Sequence, residues 1–263
     1  MSLMLARALA LLVLTLPALD AADWKLLWSD EFDGPANAPP DAGKWTYDIG
    51  DGGWGNQELE AYTRDARNVS QDGQGYLIIR AIKTASGQYT SARIKTESKF
   101  TVEHGKIAVR MKIPHGQGVW PAFWMLGANH KAGWPECGEI DIMENIGKEP
   151  SIVHGTIHGP GYSGSKGIGH QHSLPNSRAL SDDFHIYAVE WSPAAITFLL
   201  DDMPYGTIKP ADLPPGAHWV YDHPFFLLLN VAVGGDWPGN PDATTQFPQA
   251  LIADWVRVWK KAK

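Results

Sequence analysis

The sequence predicts an all-β domain. Beyond residue 22, apolar residues alternate with polar ones in short runs, and no stretch sustains apolar residues at helical spacing. Glycine, proline, aspartate and asparagine interrupt these runs, a pattern typical of strands joined by turns. The composition stays uniform and no internal repeat occurs, so one domain over residues 23–263 is the simplest organisation. Many short strands of this kind favour a sandwich or a barrel.

Ten strands are predicted from the alternation. In chain order they cover residues 76–82, 92–97, 106–113, 119–126, 139–145, 152–158, 185–191, 196–200, 225–233 and 253–259. The sequence Trp-Ser-Pro-Ala at 191–194 predicts a hairpin turn between two of them. Residues 50–67 and 159–181 are predicted to be long loops, and long loops in a compact domain often carry functional residues.

The composition narrows the classes of partner. Hydrophobic residues make up 44% and charged residues 19% of the 263, which indicates a soluble globular protein and argues against disorder. The net charge of −7 leaves no basic excess for binding nucleic acid. Twelve tryptophans offer flat apolar faces. Each of them could either pack in a β core or line a sugar-binding cleft.

The N-terminus predicts a secretory signal peptide over residues 1–22. Residues 1–7 carry one positive charge, residues 8–16 are apolar, and small residues near Ala21 and Ala22 suit cleavage. The apolar run is shorter than the roughly 20 residues that span a bilayer, so no membrane anchor is expected. The single cysteine, Cys137, cannot form an internal disulfide. A secreted or periplasmic bacterial protein is therefore expected.

The sequence GEIDIMENIG at 138–147 concentrates carboxylates in an apolar strand. Glu139 and Asp141 share one face, while Ile140 and Ile142 point to the other, towards the core. Three acids within six residues raise one another's pKa and destabilise the fold, and the strand has no basic residue to neutralise them. This cost indicates a functional face rather than a solvated edge strand.

Glu144 has the wrong parity to share that face unless the strand contains an extra residue. A β-bulge around Ile142 or Met143 would restore the parity. Two carboxylates that flank a scissile bond are the usual equipment of glycoside hydrolysis. On a flat strand Glu139 and Glu144 would lie roughly 13 Å apart at Cα. A retaining mechanism needs carboxyl groups about 5–5.5 Å apart, so the hypothesis also requires a bent strand.

Several motifs resemble glycoside hydrolase family 16, and within it the bacterial laminarinases, which are endo-β-1,3-glucanases. They include WPECG before GEIDIMENIG, GVWPAFWML at 118–126, WGNQELE at 54–60, GTIHGPGYSG at 155–164, DEFDG at 30–34 and DWVRVW at 254–259. The resemblance covers the whole mature chain. The presence of Met143 is similar to the bulged form of the acidic motif and unlike the lichenase branch.

The resemblance implies a jelly-roll β-sandwich of two curved antiparallel sheets with a concave substrate cleft. It implies retaining hydrolysis of β-1,3-glucan, with mixed-linkage β-1,3-1,4-glucan as a further substrate. In this scheme Glu139 is the nucleophile, Glu144 the acid/base, and Asp141 lies between them. No cofactor is expected for catalysis, the polysaccharide is the expected partner, and a monomer is expected.

The resemblance also suggests substrate-binding residues. They are Asn56, Arg93, Trp120, Trp124, Trp134 and His158, with Trp237 and Asn230 ranked below them. His158 is expected to bind sugar or to tune Glu144. Core packing for the tryptophans, a solvated strand face for Arg93 and a buried, satisfied His158 stay open as alternatives.

A structural calcium ion is a further implication of the resemblance. Calcium prefers oxygen ligands, and family members hold it on the convex side through backbone oxygens and one carboxylate. The matching positions are Glu31, Gly75 and Asp254, with Gly73 competing for the place of Gly75.

Two other functions are weighed against a β-1,3-glucanase. One is a galactan hydrolase of the agarase or carrageenase type, although a sulfated substrate would favour more basic residues than this chain has. The other is a non-catalytic β-glucan-binding protein. Such proteins resemble the family but lack the catalytic acids, all of which are present here.

Overall fold

The computed structural model describes residues 24–129 and 131–262. The predicted signal peptide at 1–22 lies outside the described residues. Among the residues that are described, no helix has the length and apolarity needed to cross a membrane. The helical content of this part of the chain is confined to 3-10 turns at Gly53–Gly55, Gly164–Lys166, Pro175–Ser177, Leu180–Asp182 and Pro210–Asp212.

Seventeen strands make up the described part of the chain. They are β1 (Trp24–Asp30), β2 (Thr46–Asp48), β3 (Glu60–Tyr62), β4 (Val69–Gln71), β5 (Leu77–Lys83), β6 (Tyr89–Ser91), β7 (Arg93–Lys95), β8 (Gly105–Lys112), β9 (Val119–Gly127), β10 (Glu139–Glu144), β11 (Ile152–His158), β12 (Ile168–Ser173), β13 (His185–Ser192), β14 (Ala195–Leu200), β15 (Met203–Ile208), β16 (Phe225–Val233) and β17 (Gln249–Lys261). All ten predicted strands are confirmed, with small shifts at their ends.

Seven strands escape the sequence prediction, for two physical reasons. β2, β3, β4 and β6 span three residues each, too few for alternation to show. β1, β12 and β15 lie at sheet edges and are largely exposed on both faces, so their residues alternate little between apolar and polar. The predicted long loops are corrected accordingly: residues 50–67 contain β3, and residues 159–181 contain β12.

The strands form two sheets. A ten-stranded sheet has the order β15-β14-β13-β8-β17-β5-β6-β3, with β1 beside β17 and β4 beside β5. A seven-stranded sheet has the order β12-β11-β10-β9-β16-β7-β2. Among the described strands the pairing is antiparallel except between β3 and β6, which run parallel. The predicted hairpin is confirmed, because Ser192 pairs with Ala195 around a two-residue turn.

One hydrophobic core lies between the two sheets. The ten-stranded sheet contributes residues such as Ile107, Val109, Val256 and Val258, and the seven-stranded sheet contributes Phe123, Met125, Ile140 and Leu227. β16 is central in the seven-stranded sheet, and all nine of its residues are buried. Its one polar residue, Asn230, lies on the face turned away from this core. That face carries the acidic residues of β10.

Candidate active site

The three acidic residues of β10 lie on one face because the strand bulges. Across β9, Asp141 and Met143 pair with consecutive residues, so Ile142 is an extra residue in β10. The pairing with β11 also shifts between Asp141 and Glu144. The predicted bulge is therefore confirmed, and it returns Glu144 to the face of Glu139.

The cross-strand partners show the same result. Glu139 pairs with Leu126 and Glu144 with Ala122, two β9 residues of equal parity. The isoleucines at 140 and 142 are buried in the core, as predicted. The seven-stranded sheet thus has an apolar inner face and an outer face lined with acids and aromatic residues.

Glu139 has an aromatic partner that is itself open to solvent. Trp134 Nε1 donates a 2.6 Å hydrogen bond to Glu139 Oε2. Burial and the neighbouring charge of Asp141 raise the pKa of Glu139 to about 8, while the charge of His158 and the Trp134 N–H oppose this rise. The Trp134 side chain is 53% exposed, so its ring is available to a ligand.

Asp141 is buried and is paired with His158. His158 Nε2 lies 3.1 Å from Asp141 Oδ2. Burial and the charge of Glu144 raise the pKa of Asp141. Burial opposes protonation of His158, but its hydrogen bond and attraction to Asp141 outweigh that effect and raise its pKa. This pairing corrects the expectation that His158 tunes Glu144, since its carboxylate partner is Asp141.

Glu139, Asp141 and His158 form a compact cluster. Each places one potential ligand atom within 4.8 Å of the others, a spacing that could also hold a metal ion. His158 Nε2 contacts the Asp141 carboxylate, so the imidazole offsets part of the negative charge of the two acids. The cluster therefore suits proton and charge control beside Glu139.

Glu144 is held by a second tryptophan. Trp120 Nε1 donates a 3.1 Å hydrogen bond to Glu144 Oε1. Burial and the charge of Glu139 raise the pKa of Glu144 to about 8, against the Trp120 hydrogen bond. The ring of Trp237 packs edge-to-face on Trp120 at 5.4 Å and on His154 at 5.0 Å between centroids. Aromatic rings thus surround this carboxyl group.

On the β7 side of the acids, a hydrogen-bonded chain fixes another tryptophan. Trp124 Nε1 donates to Asn230 Oδ1 at 2.7 Å, and Asn230 Nδ2 donates to the Tyr62 hydroxyl at 3.0 Å. The Arg93 guanidinium lies 4.8 Å from the Trp124 ring centroid and 4.9 Å from that of Trp54. These four side chains and Trp54 form what we call the Arg93 cluster.

The basic residues on this side are neutralised within the protein. Arg93 Nε and Lys95 Nζ each lie 2.7 Å from an oxygen of Asp48. Lys95 also contacts Glu97. The expected cleft position of Arg93 is consistent with its contacts, but its charge is not available as an isolated cation. The surface therefore offers aromatic faces and hydrogen bonds rather than net positive charge.

Two cavities lie near this face. The smaller, about 260 Å³, is lined by residues that include Trp54, Arg93 and Trp134 and adjoins the Glu139 end of the acidic strand. The larger, about 580 Å³, is lined by residues that include His115 and Lys148. Its described lining includes no tryptophan, tyrosine or phenylalanine and none of the three acids. The smaller cavity is therefore the better match to a sugar-binding site.

Asn56 has hydrogen-bonded neighbours that the sequence pattern did not predict. Asn56 is exposed, and its amide donates a 3.0 Å hydrogen bond to Glu58. Glu58 in turn accepts a hydrogen bond from Tyr62 at 3.1 Å. Sequence reasoning missed Glu58, Tyr62 and also His154 as parts of the site. Acidic residues at 58 and 60, inside a loop that carries a predicted binding residue, are the signal that could have identified Glu58.

The proposed calcium ligands have partners among the basic residues. Arg257 donates to both carboxylate oxygens of Glu31, at 3.0 and 2.8 Å. Arg110 donates to Oδ2 of Asp254. A calcium ion could then use the main-chain oxygens of Glu31 and Gly75 with the other oxygen of Asp254, a donor set that calcium accepts. Calcium binding stays a prediction at these positions.

Comparison with known proteins gives one consistent result. The sequence model of glycosyl hydrolases family 16 matches residues 56–257. A β-glucanase from Rhodothermus marinus is 42% identical over 252 residues, covering 91% of this chain and 86% of that protein.

Solved structures show the same similarity. The laminarinase catalytic domain of Thermotoga maritima MSB8, crystallised with cetyltrimethylammonium bromide, is 47% identical with a TM-score of 0.85, covering 92% of this chain and all of that one. The endo-β-1,3-glucanase of Pyrococcus furiosus is 44% identical with a TM-score of 0.86, covering 93% and 97%. The predicted jelly-roll sandwich is thereby confirmed.

Proposed function

The chain belongs to glycosyl hydrolase family 16, and from this premise we propose that it is a secreted, retaining endo-hydrolase of β-1,3-glucan. One observation carries the proposal: the bulge in β10 places Glu139, Asp141 and Glu144 on one face, each beside a named partner. A pair of carboxyl groups flanking the scissile bond is what glycoside hydrolysis requires. The glucanase and laminarinase names of the similar proteins support the choice of substrate.

The local charges support distinct roles for the two glutamates. Glu139 faces the positive charge of His158 and the N–H of Trp134, both of which favour its ionised form. The negative charge of Glu139 in turn raises the pKa of Glu144, so Glu144 holds its proton more tightly once Glu139 has lost its own. An ionised carboxylate beside a protonated one is the state that begins a retaining reaction.

The reaction then has two steps. The Glu139 carboxylate attacks the anomeric carbon while Glu144 donates its proton to the leaving glycosidic oxygen, so a glycosyl-enzyme ester forms as the glycosidic bond breaks. Glu144, now ionised, takes a proton from water, which attacks the same carbon and releases Glu139. Two inversions leave the anomeric configuration unchanged. His158 remains beside Glu139 throughout and stabilises its charge, while Asp141 holds the imidazole in place.

The character of the cleft supports a neutral polysaccharide. Trp124, Trp134 and Trp120 supply aromatic faces of the kind that stack on apolar sugar faces. The nearby basic residues Arg93 and Lys95 are paired with Asp48. A sulfated galactan would require free positive charge to offset its sulfates, so this pairing favours glucan over carrageenan.

A substrate panel tests the proposal directly. Laminarin, lichenan, agarose and carrageenan are incubated with the enzyme, and product sizes are followed over time. We expect a rapid fall in laminarin chain length with a mixture of oligosaccharides, as endo-cleavage produces, and slower cleavage of lichenan. Cleavage of agarose in preference to laminarin would overturn the glucan assignment.

A matched variant separates catalysis from binding. Glu139→Ala should lower laminarin hydrolysis by more than about 10⁴-fold, because the nucleophile is absent. Circular dichroism should show an unchanged fold. If the wild-type protein binds laminarin without cleaving it, the alternative of a glucan-binding protein would replace the hydrolase proposal.

A further inference from the structure

We propose that Glu60 holds a proton that it shares with Glu58, and that this shared proton positions the sugar-binding side chains Asn56 and Trp124. The inference rests on the proposed function, because it assigns a role in binding the β-1,3-glucan. Glu60 does not touch the cleft itself. It is a positioning residue that acts through Glu58.

The surroundings of Glu60 require it to carry a proton. Its side chain is fully buried, and Oε2 accepts a 2.7 Å hydrogen bond from the Val233 N–H. Oε1 is also buried, and none of the described residues donates to it. A buried acceptor without a donor is costly, whereas a protonated Oε1 becomes a donor. The Glu58 carboxyl lies within hydrogen-bonding reach and can accept that proton.

The charges around Glu60 agree with this assignment. Burial, followed by the hydrogen bond and charge of Glu58, raises the pKa of Glu60 to about 9. Tyr62 follows Glu60 on β3, and Tyr89 of β6 pairs with Glu60. The Arg93 guanidinium lies 5.9 Å from the centroid of the Tyr62 ring. The Arg93 guanidinium is paired with Asp48 and has no acceptor atom, so Glu58 is the acceptor for the Glu60 proton.

Glu58 joins two parts of the site. Its Oε1 accepts from the Asn56 amide at 3.0 Å, and its Oε2 accepts from the Tyr62 hydroxyl at 3.1 Å. A carboxylate can accept all these bonds together with the bond from Glu60, because it offers about four lone-pair positions. The Glu58 carboxyl group thus holds the side chain of the exposed Asn56 in place.

The direction of the hydrogen bonds extends this anchor to Trp124. An indole N–H can only donate, so Trp124 fixes Asn230 Oδ1 as acceptor and Asn230 Nδ2 as donor to Tyr62. The Tyr62 proton must then point to Glu58. Trp124, Asn230, Tyr62 and Glu58 therefore form one directional chain, and its final acceptor is the carboxylate that Glu60 stabilises.

Loss of the Glu60 proton would disturb both connections of Glu58, the one to Asn56 and the one through Tyr62 to Trp124. Two adjacent carboxylates repel each other, and the buried one would lack a donor at Oε1. Glu60 and Leu59 are both bound to the main chain of Val233, so repulsion would displace the Glu58 side chain rather than Glu60. The Asn56 amide that Glu58 holds would then lose its fixed geometry. Glucan binding should therefore weaken as the pH rises towards and above about 9.

The test measures binding without turnover. Laminaritetraose is titrated calorimetrically into the Glu139→Gln protein from about pH 6 to pH 10, with and without the added substitution Glu60→Gln. The amide of glutamine is isosteric and donates permanently to Glu58. We expect Kd to rise about tenfold more with pH in the protein that keeps Glu60 than in Glu60→Gln, as the loss of a hydrogen bond would cause.

Two further variants complete the design. Glu58→Gln removes the charged acceptor, so it should weaken binding at every pH. Glu103→Gln, a substitution of a half-exposed glutamate away from the site, should reproduce the pH curve of the Glu139→Gln protein. The same alkaline weakening in Glu60→Gln would overturn the inference while leaving the glucan assignment intact. Failure to bind laminaritetraose at any pH would overturn the proposed function as well.

Discussion

His158 is paired in register with Glu139, yet its imidazole contacts Asp141: His158 Nε2 lies 3.1 Å from Asp141 Oδ2. The side chain thus reaches diagonally to the second acid of the strand. It delivers a positive charge between two carboxylates whose pKa values burial raises. This contact makes His158 part of the control of charge at Glu139 and leads to the first prediction.

His158→Gln should move the acidic limb of the kcat/KM profile to higher pH. The charge of His158 lowers the pKa of Glu139, so its removal lets that pKa rise and leaves less ionised nucleophile at a given pH. We expect kcat/KM for laminarin near pH 6 to fall by about tenfold or more. As a control, His172→Gln alters an exposed histidine on β12 and should leave the limb in place. Equal profiles for both variants would contradict the role of His158.

Trp120→Phe should move the alkaline limb to higher pH. The indole N–H donates to Glu144 and lowers its pKa, so its loss lets Glu144 keep its proton further into the alkaline range. The matched variant Trp124→Phe removes an indole that donates to Asn230 instead. It should affect KM and leave the alkaline limb unchanged. The same shift in both variants would show that the hydrogen bond to Glu144 is not its cause.

Glu144→Ala should be rescued by azide if Glu144 is the acid/base. With an aryl β-glucoside whose leaving group needs no proton, Glu139 can still form the glycosyl-enzyme, and azide can then attack without a general base. We expect a glycosyl azide of retained configuration and a rate that rises with azide concentration. Glu139→Ala serves as the comparison and should give no retained product. An azide product of inverted configuration from Glu144→Ala would count against the assignment.

The stability of the fold should fall as the pH rises from about 5 towards 8. Glu139 and Glu144 have folded-state pKa values of about 8 against 4.5 for an unperturbed glutamate. The folded state therefore binds more protons than the unfolded state within this window. The stabilisation is complete below the unfolded pKa and is lost as the pH rises through the folded pKa, at about 1.4 kcal/mol per pKa unit.

The double variant Glu139→Gln/Glu144→Gln tests this linkage. Its melting temperature should exceed that of the wild type near pH 8 and should depend less on pH, because two buried carboxylates no longer ionise. Glu103→Gln, which removes a half-exposed carboxylate away from the cleft, provides the reference for a substitution outside the site. If the double variant has the slope of the wild type, the pH dependence must have another origin.

Calcium should raise the melting temperature if the predicted ion binds at Glu31, Gly75 and Asp254. Samples with about 1 mM calcium and with chelator are compared by calorimetry, since a ligand of the folded state stabilises it by mass action. Asp254→Ala should abolish the difference. Identical melting temperatures in the two wild-type samples would exclude a stabilising site.

Features that depend on local parity could be predicted from the amino-acid sequence. Alternation predicted the long strands, and the mismatched parity of Glu139 and Glu144 predicted a bulge that the pairing of β10 confirms. Side-chain direction along a strand follows from the backbone, so it can be read without knowing the neighbours.

Contacts between side chains that are distant in the sequence could not be predicted in this way, because they follow from the tertiary structure. Asn230 bonds Tyr62 across 168 residues and Trp124 across 106, so these contacts depend on the order of strands in the sheets. The same holds for the shared position of Glu58 and Glu60 beneath Asn56. Sheet order and burial set these partners, and a linear pattern contains neither. The acids of GEIDIMENIG were therefore predictable, but the groups that set their charges were not.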